Sequence, residues 1–328
     1  MTMPLRRLLV AAVILAGTFS TAVAETGPNA FMFVGFGDVP YSLPGDYAKV
    51  DRLIAAINKE KPAFAIHVGD IKSGSTPCSD EILRKALDQI NTVEAPVVYS
   101  IGDNEWTDCH REKAGKFNPR ERLQALRAMA FPKPGRTLGK TPMTVESQAL
   151  AMPERFKKFV ENQRFVKNGV VFIVPHVPGS NNGFEARDPE AATEYFERNA
   201  ANVAWIDDGF RLARETGAKA VVIAFQANPY DIRSGEGELP PASGFVDTVD
   251  AIERGARAFA KPVLVMFGDD HVLEIKNFRN RKLQAIPNAW QLQLMGDRRV
   301  HAVKILVDPD SPGVFGFVPL IVRENGPF

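Results

Sequence analysis

Cysteine is nearly absent: Cys78 and Cys109 are the only two in 328 residues. Two thiols allow one bridge at most, so a disulfide framework is not what holds a chain of this size together. An excess of charge of either sign is also missing, the formal net charge being +1. That balance, without any stripe of alternating basic and aromatic residues, argues against nucleic acid as a main partner. After the first two dozen residues no apolar run approaches the length of a membrane span. Internal repeats, low-complexity tracts and linkers are lacking too. Residues 25–328 therefore read as a single domain of ordinary apolar content.

The exception is the N-terminus, MTMPLRRLLVAAVILAGTFSTAVAET. Arg6 and Arg7 precede an apolar stretch from Leu8 to Gly17, and Ala22-Val23-Ala24 forms an A-x-A site before Glu25. This layout predicts a secretory signal peptide over residues 1–24 and a periplasmic or secreted protein with no membrane attachment after cleavage. An uncleaved anchor is the alternative. No cysteine follows the cleavage site, so nothing points to a lipoprotein. In an oxidising compartment a Cys78–Cys109 disulfide is expected if the loops carrying them are neighbours, two unrelated thiols being the competing reading.

What the chain does have is five apolar runs that end alike. They are FMFVGFGDVPY, AFAIHVGDIKSG, APVVYSIGDNEW, AKAVVIAFQANPY and KPVLVMFGDDH. Short β-branched runs bounded by Gly or Pro read as strands buried on both faces. In such sheets ligands gather beyond the carboxyl ends of the strands. Asp38, Asp70, Asp103, Gln226, Asn228, Asp269 and His271 then share one site. Crowded carboxylates repel by roughly 4 kcal/mol per close pair at an effective dielectric near 20. They take up protons or bind cations, and one or two divalent metals relieve the repulsion most directly. Taken singly, each Gly-Asp pair is equally an ordinary turn.

The first half alternates strand and helix, with DYAKVDRLIAAINKEKP and SDEILRKALDQINTVE as crossover helices and Ser79 as an N-cap, which implies parallel strands. A helix is expected near Pro153 to Asn162, a hairpin turning at Lys167-Asn168-Gly169, and a long helix containing Trp205. Between His110 and Asn168 there are fourteen Lys or Arg against five Asp or Glu. This basic insertion around 110–168 forms either a positive rim that draws in anionic substrates or a solvated helical surface.

In order and spacing the motifs resemble the calcineurin-like metallophosphoesterase superfamily, which includes the purple acid phosphatases. The matching stretches are Gly37-Asp38, Gly69 to Gly74, Gly102 to Trp106, the region near Pro229, and Gly268 to His271. The resemblance covers nearly all of residues 25–328 and implies a four-layer αββα sandwich with two metals at the strand ends. It places Asp38, Asp70 and His271 around one metal, and Asp70, Asp103, Asp269 and Gln226 around the other, with Asp70 bridging. The departures are pointed. The family's His after the first Asp is Pro40, its third-motif Asn and catalytic His fall on Asp103 and Asn104, and its fifth-motif first His is Asp269. A tyrosine ligand of the purple type would fall on Ser73, with Tyr41 near but not at the matching position. Oxygen donors in place of imidazoles favour Mn, Mg or Ca over Zn or Fe.

Those departures leave two functional expectations. The first is an exported metal-dependent phosphoesterase acting on mono- or diesters of a small phosphorylated substrate, with Asp70 and Asn104 central to catalysis. Asn104 donates a hydrogen bond but no proton, and losing a general acid costs about 10²- to 10⁴-fold in rate. The second is a weak or inactive relative that binds a metal or an anionic ligand. His176, Asn181 and Asn182 are candidates to hold the substrate phosphate, the alternative being a turn rich in Gly and Asn. His67 is expected to be a buried, hydrogen-bonded histidine.

Overall fold

A computed structural model describes residues 27–230 and 238–327. The expected signal peptide over 1–24 lies outside the described residues. The first sheet has five strands in the order β12-β11-β1-β2-β3, the second seven in the order β4-β5-β6-β7-β8-β10-β9. In chain order, β1 (Phe31–Phe36), α1 (Gly45–Glu60), β2 (Ala65–His67), α2 (Asp80–Ile90) and β3 (Val97–Tyr99) open the fold. β1, β2 and β3 run parallel, as the alternation predicts. Ser79 caps α2, its hydroxyl accepting from the Ile82 amide at 3.4 Å.

Next come α3 (Pro119–Ala130), β4 (Glu146–Ser147), short helical turns α4 (Gln148–Ala151) and α5 (Pro153–Phe156), and the antiparallel hairpin β5 (Gln163–Lys167) and β6 (Val170–Val174). The hairpin turns at Asn168 and Gly169, both with positive φ. The helix expected from Pro153 to Asn162 stops at Phe156. Beyond it Phe156 and Phe159 pack on Ala201, and the Asn162 carboxamide is drawn inside to bond Gln148 and Asn202. A tight turn α6 (Gly179–Asn182) leads to the long α7 (Pro189–Glu215), capped by Asp188. Then follow β7 (Ala220–Ala224), α8 (Val246–Phe259), β8 (Val263–Phe267), β9 (Glu274–Arg279), β10 (Ala285–Gln293), β11 (Ala302–Val307) and β12 (Phe315–Leu320).

Strand alternation assigns the layers. Phe33 of β1 and Phe172 of β6 point between the sheets into one shared core with Ile66, Val222, Leu264 and Val303. Their neighbours face outward. Val34 packs with Leu53 of α1, Leu83 of α2 and Leu123 of α3, while Ile173 packs with Trp205 of α7 and Ile252 of α8. Helices, sheet, sheet, helices is the four-layer αββα arrangement expected from the motif order. α7 and α8 approach so closely that a Cβ on Gly255 would lie 2.0 Å from the Phe210 ring.

Candidate functional site

Five parallel strands end at one rim. Beyond β1 lies Asp38, beyond β2 Asp70, beyond β3 Asp103, Asn104 and Glu105, beyond β7 Gln226 and Asn228, and beyond β8 Asp269 and His271. The motif glycines show how tightly these ends converge. A Cβ on Gly102 would sit 2.1 Å from Asp70 Oδ1, and one on Gly268 would sit 2.0 Å from Asp38 Oδ2. Each glycine thus leaves room for the carboxylate of another motif. Asp38, Asp70 and Asp269 themselves adopt positive φ, which turns their side chains back over the strand ends.

Hydrogen bonds knit the cluster. Asp70 Oδ1 accepts from the Asn104 amide at 3.1 Å, and its Oδ2 accepts from Asn104 Nδ2 at 2.5 Å and the Tyr41 hydroxyl at 2.6 Å. Tyr41 Oη also lies 3.2 Å from His271 Nε2, and the two rings meet edge to face at 5.0 Å. Asp38 Oδ1 takes the Asp269 amide at 3.0 Å, whereas its buried Oδ2 has no partner. Asp269 in turn accepts from Gln226 Nε2 at 3.3 Å and the Asn228 amide at 2.8 Å. Glu105 Oε1 gathers the Asp70 and Gly102 amides and the Tyr99 hydroxyl, leaving its Oε2 unpartnered and buried. Gln226 is buried, its Oε1 accepting from the Gly179 amide.

Charge at the rim is out of balance. Asp38, Asp70, Asp103, Glu105 and Asp108 are all buried, and Lys72 is the one buried lysine among the described residues. Burial, then the neighbouring carboxylates, pushes the pKa of Asp70 well up, and Asp38 is raised by burial and by Asp269, Asp103 and Glu105. Burial raises Glu105 and lowers Lys72. Asp108 is pushed up to about 6 by burial and by Asp103. Ser180 Oγ lies 2.7 Å from Asp103 Oδ2 and 2.8 Å from Asp108 Oδ1. One hydroxyl has one proton to donate, and Asp108 takes a second donor in Arg111, 2.5 Å from its Oδ2.

A cavity of about 670 Å³ opens on this cluster, lined by Tyr41, Asp70, Asp103, Asn104, Asp269 and His271. Arg111 and Lys113 stand at its edge. They are what the basic segment supplies here, Arg111 being paired with Asp108 at 2.5 Å; Arg122, Arg127 and Arg164 turn to Asp80, Glu161 and Asp208 in ion pairs that build the fold. The oxygen-rich donor set and the orphaned Asp38 Oδ2 fit a hard divalent cation. Among the described residues no three His, Cys, Asp or Glu side chains are grouped so that they could hold a metal, and Tyr41, Asn104, Ser180 and Gln226 bond the rim carboxylates instead.

The other sequence candidates sit differently. His176 is buried, its Nδ1 bonded to Glu161 at 3.1 Å, and it lines neither this cavity nor the one beside it. Asn181 spends its amide on the Phe184 and Ala242 carbonyls, and Asn182 bonds Gly244 and Arg198. Neither side chain is left for a phosphate. His67 is buried, with Nδ1 accepting from the Gly69 amide at 3.1 Å, as expected. Cys78 and Cys109 are disulfide-bonded, joining the loops beyond Asp70 and Asp103. Tyr41, Lys72, Asp108 and Ser180 carry weight that residue types alone did not assign. The signal for Asp108 was its place five residues past Asp103, where a 3₁₀ turn over Thr107–His110 folds it back to the rim.

No family model and no curated protein matches the chain. Among solved structures, a dimetal phosphatase from Danio rerio is 12% identical, with 89% of this chain and 98% of that one covered at a TM-score of 0.53. The fold is that of the calcineurin-like metallophosphoesterases. Looser likenesses extend to GAP50, the anchor in the inner membrane complex of Plasmodium (11% identity, 89% of each chain, TM-score 0.48), and to purple acid phosphatase PPD1 from yellow lupin seeds (9% identity, 92% of this chain and 55% of that one, TM-score 0.47). At such identities the likeness is one of fold, and the chemistry of the metallophosphoesterase-like rim has to be argued from its own residues.

Proposed function

We propose that this chain is an exported, divalent-cation-dependent phosphoester hydrolase. The observation that carries the reading is the gathering of Asp70, Asp103, Asp269 and His271 around one open cavity that Arg111 and Lys113 also line, with Asp38 buried beside them and bonded to the Asp269 amide. Asp38, Asp70 and His271 would hold one cation, and Asp70, Asp103 and Asp269 a second, with Gln226 bonded to Asp269 beside it rather than free to join them. When bound, such cations supply Lewis-acid stabilisation of phosphoryl charge. The oxygen donors favour Mn, Mg or Ca over Zn or Fe. Arg111 and Lys113 attract and orient the phosphate. Asn104 Nδ2 donates to Asp70 Oδ2 and Tyr41 Oη, fixing both at the cavity wall. The proton donor that the Asn104 position lacks would come from Asp108, which lines the same space. Burial and Asp103 push the Asp108 carboxyl up to about 6, whereas the Tyr41 hydroxyl is bonded to Asp70 and raised well above its usual pKa by burial. The disulfide supports an oxidising, extracytoplasmic setting.

A second reading, a cation- or anion-binding protein without turnover, is favoured by one observation: both Asp70 oxygens already have protein donors. Metal content and the hydrolysis of phosphate mono- and diesters, with added Mn²⁺ or Mg²⁺ and Asp70→Asn as control, separate the two. Metal-dependent turnover lost in Asp70→Asn establishes the hydrolase. Stoichiometric metal without turnover on either ester type puts the binding protein first, and no metal at all sinks the cation site.

A further inference from the structure

A second cavity of about 460 Å³ lies against the first. Asp108, Arg111 and Ser180 line both, so a single wall separates carboxylates from a space of different character. Trp106, Pro119 and Phe184 give that space apolar surfaces. Phe184 is backed by Tyr195 and Phe196, with ring centroids at 4.6 and 5.6 Å. Most of the charges around it are paired, Glu185 being a further carboxylate in the lining. Arg120 is tied to Asp188 at 3.3 Å and Glu190 at 2.6 Å, and Glu194 is bonded twice to Arg198 at 2.9 Å.

The shared wall is built at a cost. Ser180, Asn181 and Asn182 are three successive residues with positive φ, a conformation that non-glycine residues keep only where their surroundings over-determine it. Asn181 and Asn182 supply that determination by bonding Phe184, Ala242 and Gly244. The result sets Ser180 between the two spaces. Strain of this kind gathers at ligand sites, and the volume lies in the range of small-molecule pockets.

We propose that the two cavities form one extended substrate site, in which the second receives the organic group of the phosphoester and selects a compact apolar ring over a methyl- or glycerol-sized group. This deepens, and rests on, the hydrolase reading. The test is calorimetric titration of the Mn²⁺-supplemented protein with inorganic phosphate, methylphosphonate and phenylphosphonate. It is repeated on Ala191→Trp, which fills the second cavity from α7, and on Phe184→Ala, which strips its wall. Phenylphosphonate should bind about tenfold or more tightly than methylphosphonate, from burial of the ring. Both substitutions should erase that preference while inorganic phosphate binds within about twofold of wild type. Phosphate binding with no preference for the ring, or a preference that survives Ala191→Trp, overturns the extended site and leaves the hydrolase reading standing. If none of the three anions binds, the hydrolase reading falls and the extended site with it.

Discussion

Asp38 gives a direct test of whether the rim carboxylates are held together for a cation. Its side chain is buried, one oxygen takes the Asp269 amide and the other has no partner. Burial and then the charges of Asp269, Asp103 and Glu105 raise its pKa well above 3.8. A raised carboxyl contributes most below its unfolded pKa, and that stability is lost as pH climbs towards the folded value. In EDTA at pH 8 the ionised group is therefore a liability. Asp38→Asn removes the charge and keeps an acceptor for the Asp269 amide. One close like-charge pair relieved is worth roughly 4 kcal/mol at an effective dielectric near 20. Against this stands the weakening of a charge-assisted hydrogen bond, about 1–2 kcal/mol. The variant should be more stable than wild type by about 2 kcal/mol, a rise of about 3 °C in Tm for a chain of this size. Manganese should reverse the order. Wild type gains about 2.7 kcal/mol at a cation concentration a hundred times Kd, and the variant gains less. Scanning calorimetry in EDTA and in Mn²⁺ reads both effects. A variant that melts below wild type in EDTA, beside a wild type indifferent to Mn²⁺, would show that Asp38 already has its partner within the protein.

The Cys78–Cys109 bridge spans 31 residues, for which loop closure predicts about 3–4 kcal/mol; reduction or the double Ser variant should lower Tm accordingly, and two free thiols in the untreated protein would contradict the bridge. Burial lowers His176 to about 4 and His67 to about 3. Depressed folded values mean stability present above pH 6.5 and lost as pH falls towards 4, by up to about 3 kcal/mol for His176. His176→Gln should flatten the fall in urea stability across that window, and an unchanged slope would show that His176 is not its source. Arg127 pairs with Glu161 inside the protein. Arg127→Met strands that carboxylate and should cost about 3–5 kcal/mol, most of it recovered when Glu161→Gln is added; a double variant as weak as the single one would deny the coupling.

Much of this architecture was legible because it rests on periodicity. The runs ending in Asp38, Asp70, Asp103, Gln226 and Asp269 had to be strands buried on both faces, and the alternation of Phe33 with Val34 shows why: each face meets a different layer. Ser79, Asn168 and Gly169 announced a cap and a turn through local chemistry. The stretch from Pro153 to Asn162 misled for the opposite reason. Its helical composition yields to long-range bonds, from Asn162 to Gln148 and Asn202 and from Glu161 to Arg127. The basic segment misled similarly. Arg122, Arg127 and Arg164 look like a rim in sequence, yet each finds an acidic partner far along the chain. Asn181 and Asn182 looked free to bind a ligand because nothing local reveals that Gly244 accepts from Asn182 and donates to Asn181.

The residues that replace histidines across the rim act together. Where an imidazole would present a lone pair to a cation, Asn104 and Gln226 present amide hydrogens to carboxylates, at Asp70 Oδ2 and Asp269 Oδ1. Tyr41 reaches the same Asp70 oxygen from the loop after β1. A cation entering here competes with these donors and with protons, because Asp38 and Asp70 are both raised in pKa. Each displaced hydrogen bond to a charged group is worth about 1.5–3 kcal/mol. The affinity that remains is therefore modest at neutral pH and grows as protons leave. Histidine-rich sites lack this competition from amides. Under the proposed hydrolase reading, a cation at this rim would come and go with pH and cation supply, with Asp70 at its centre.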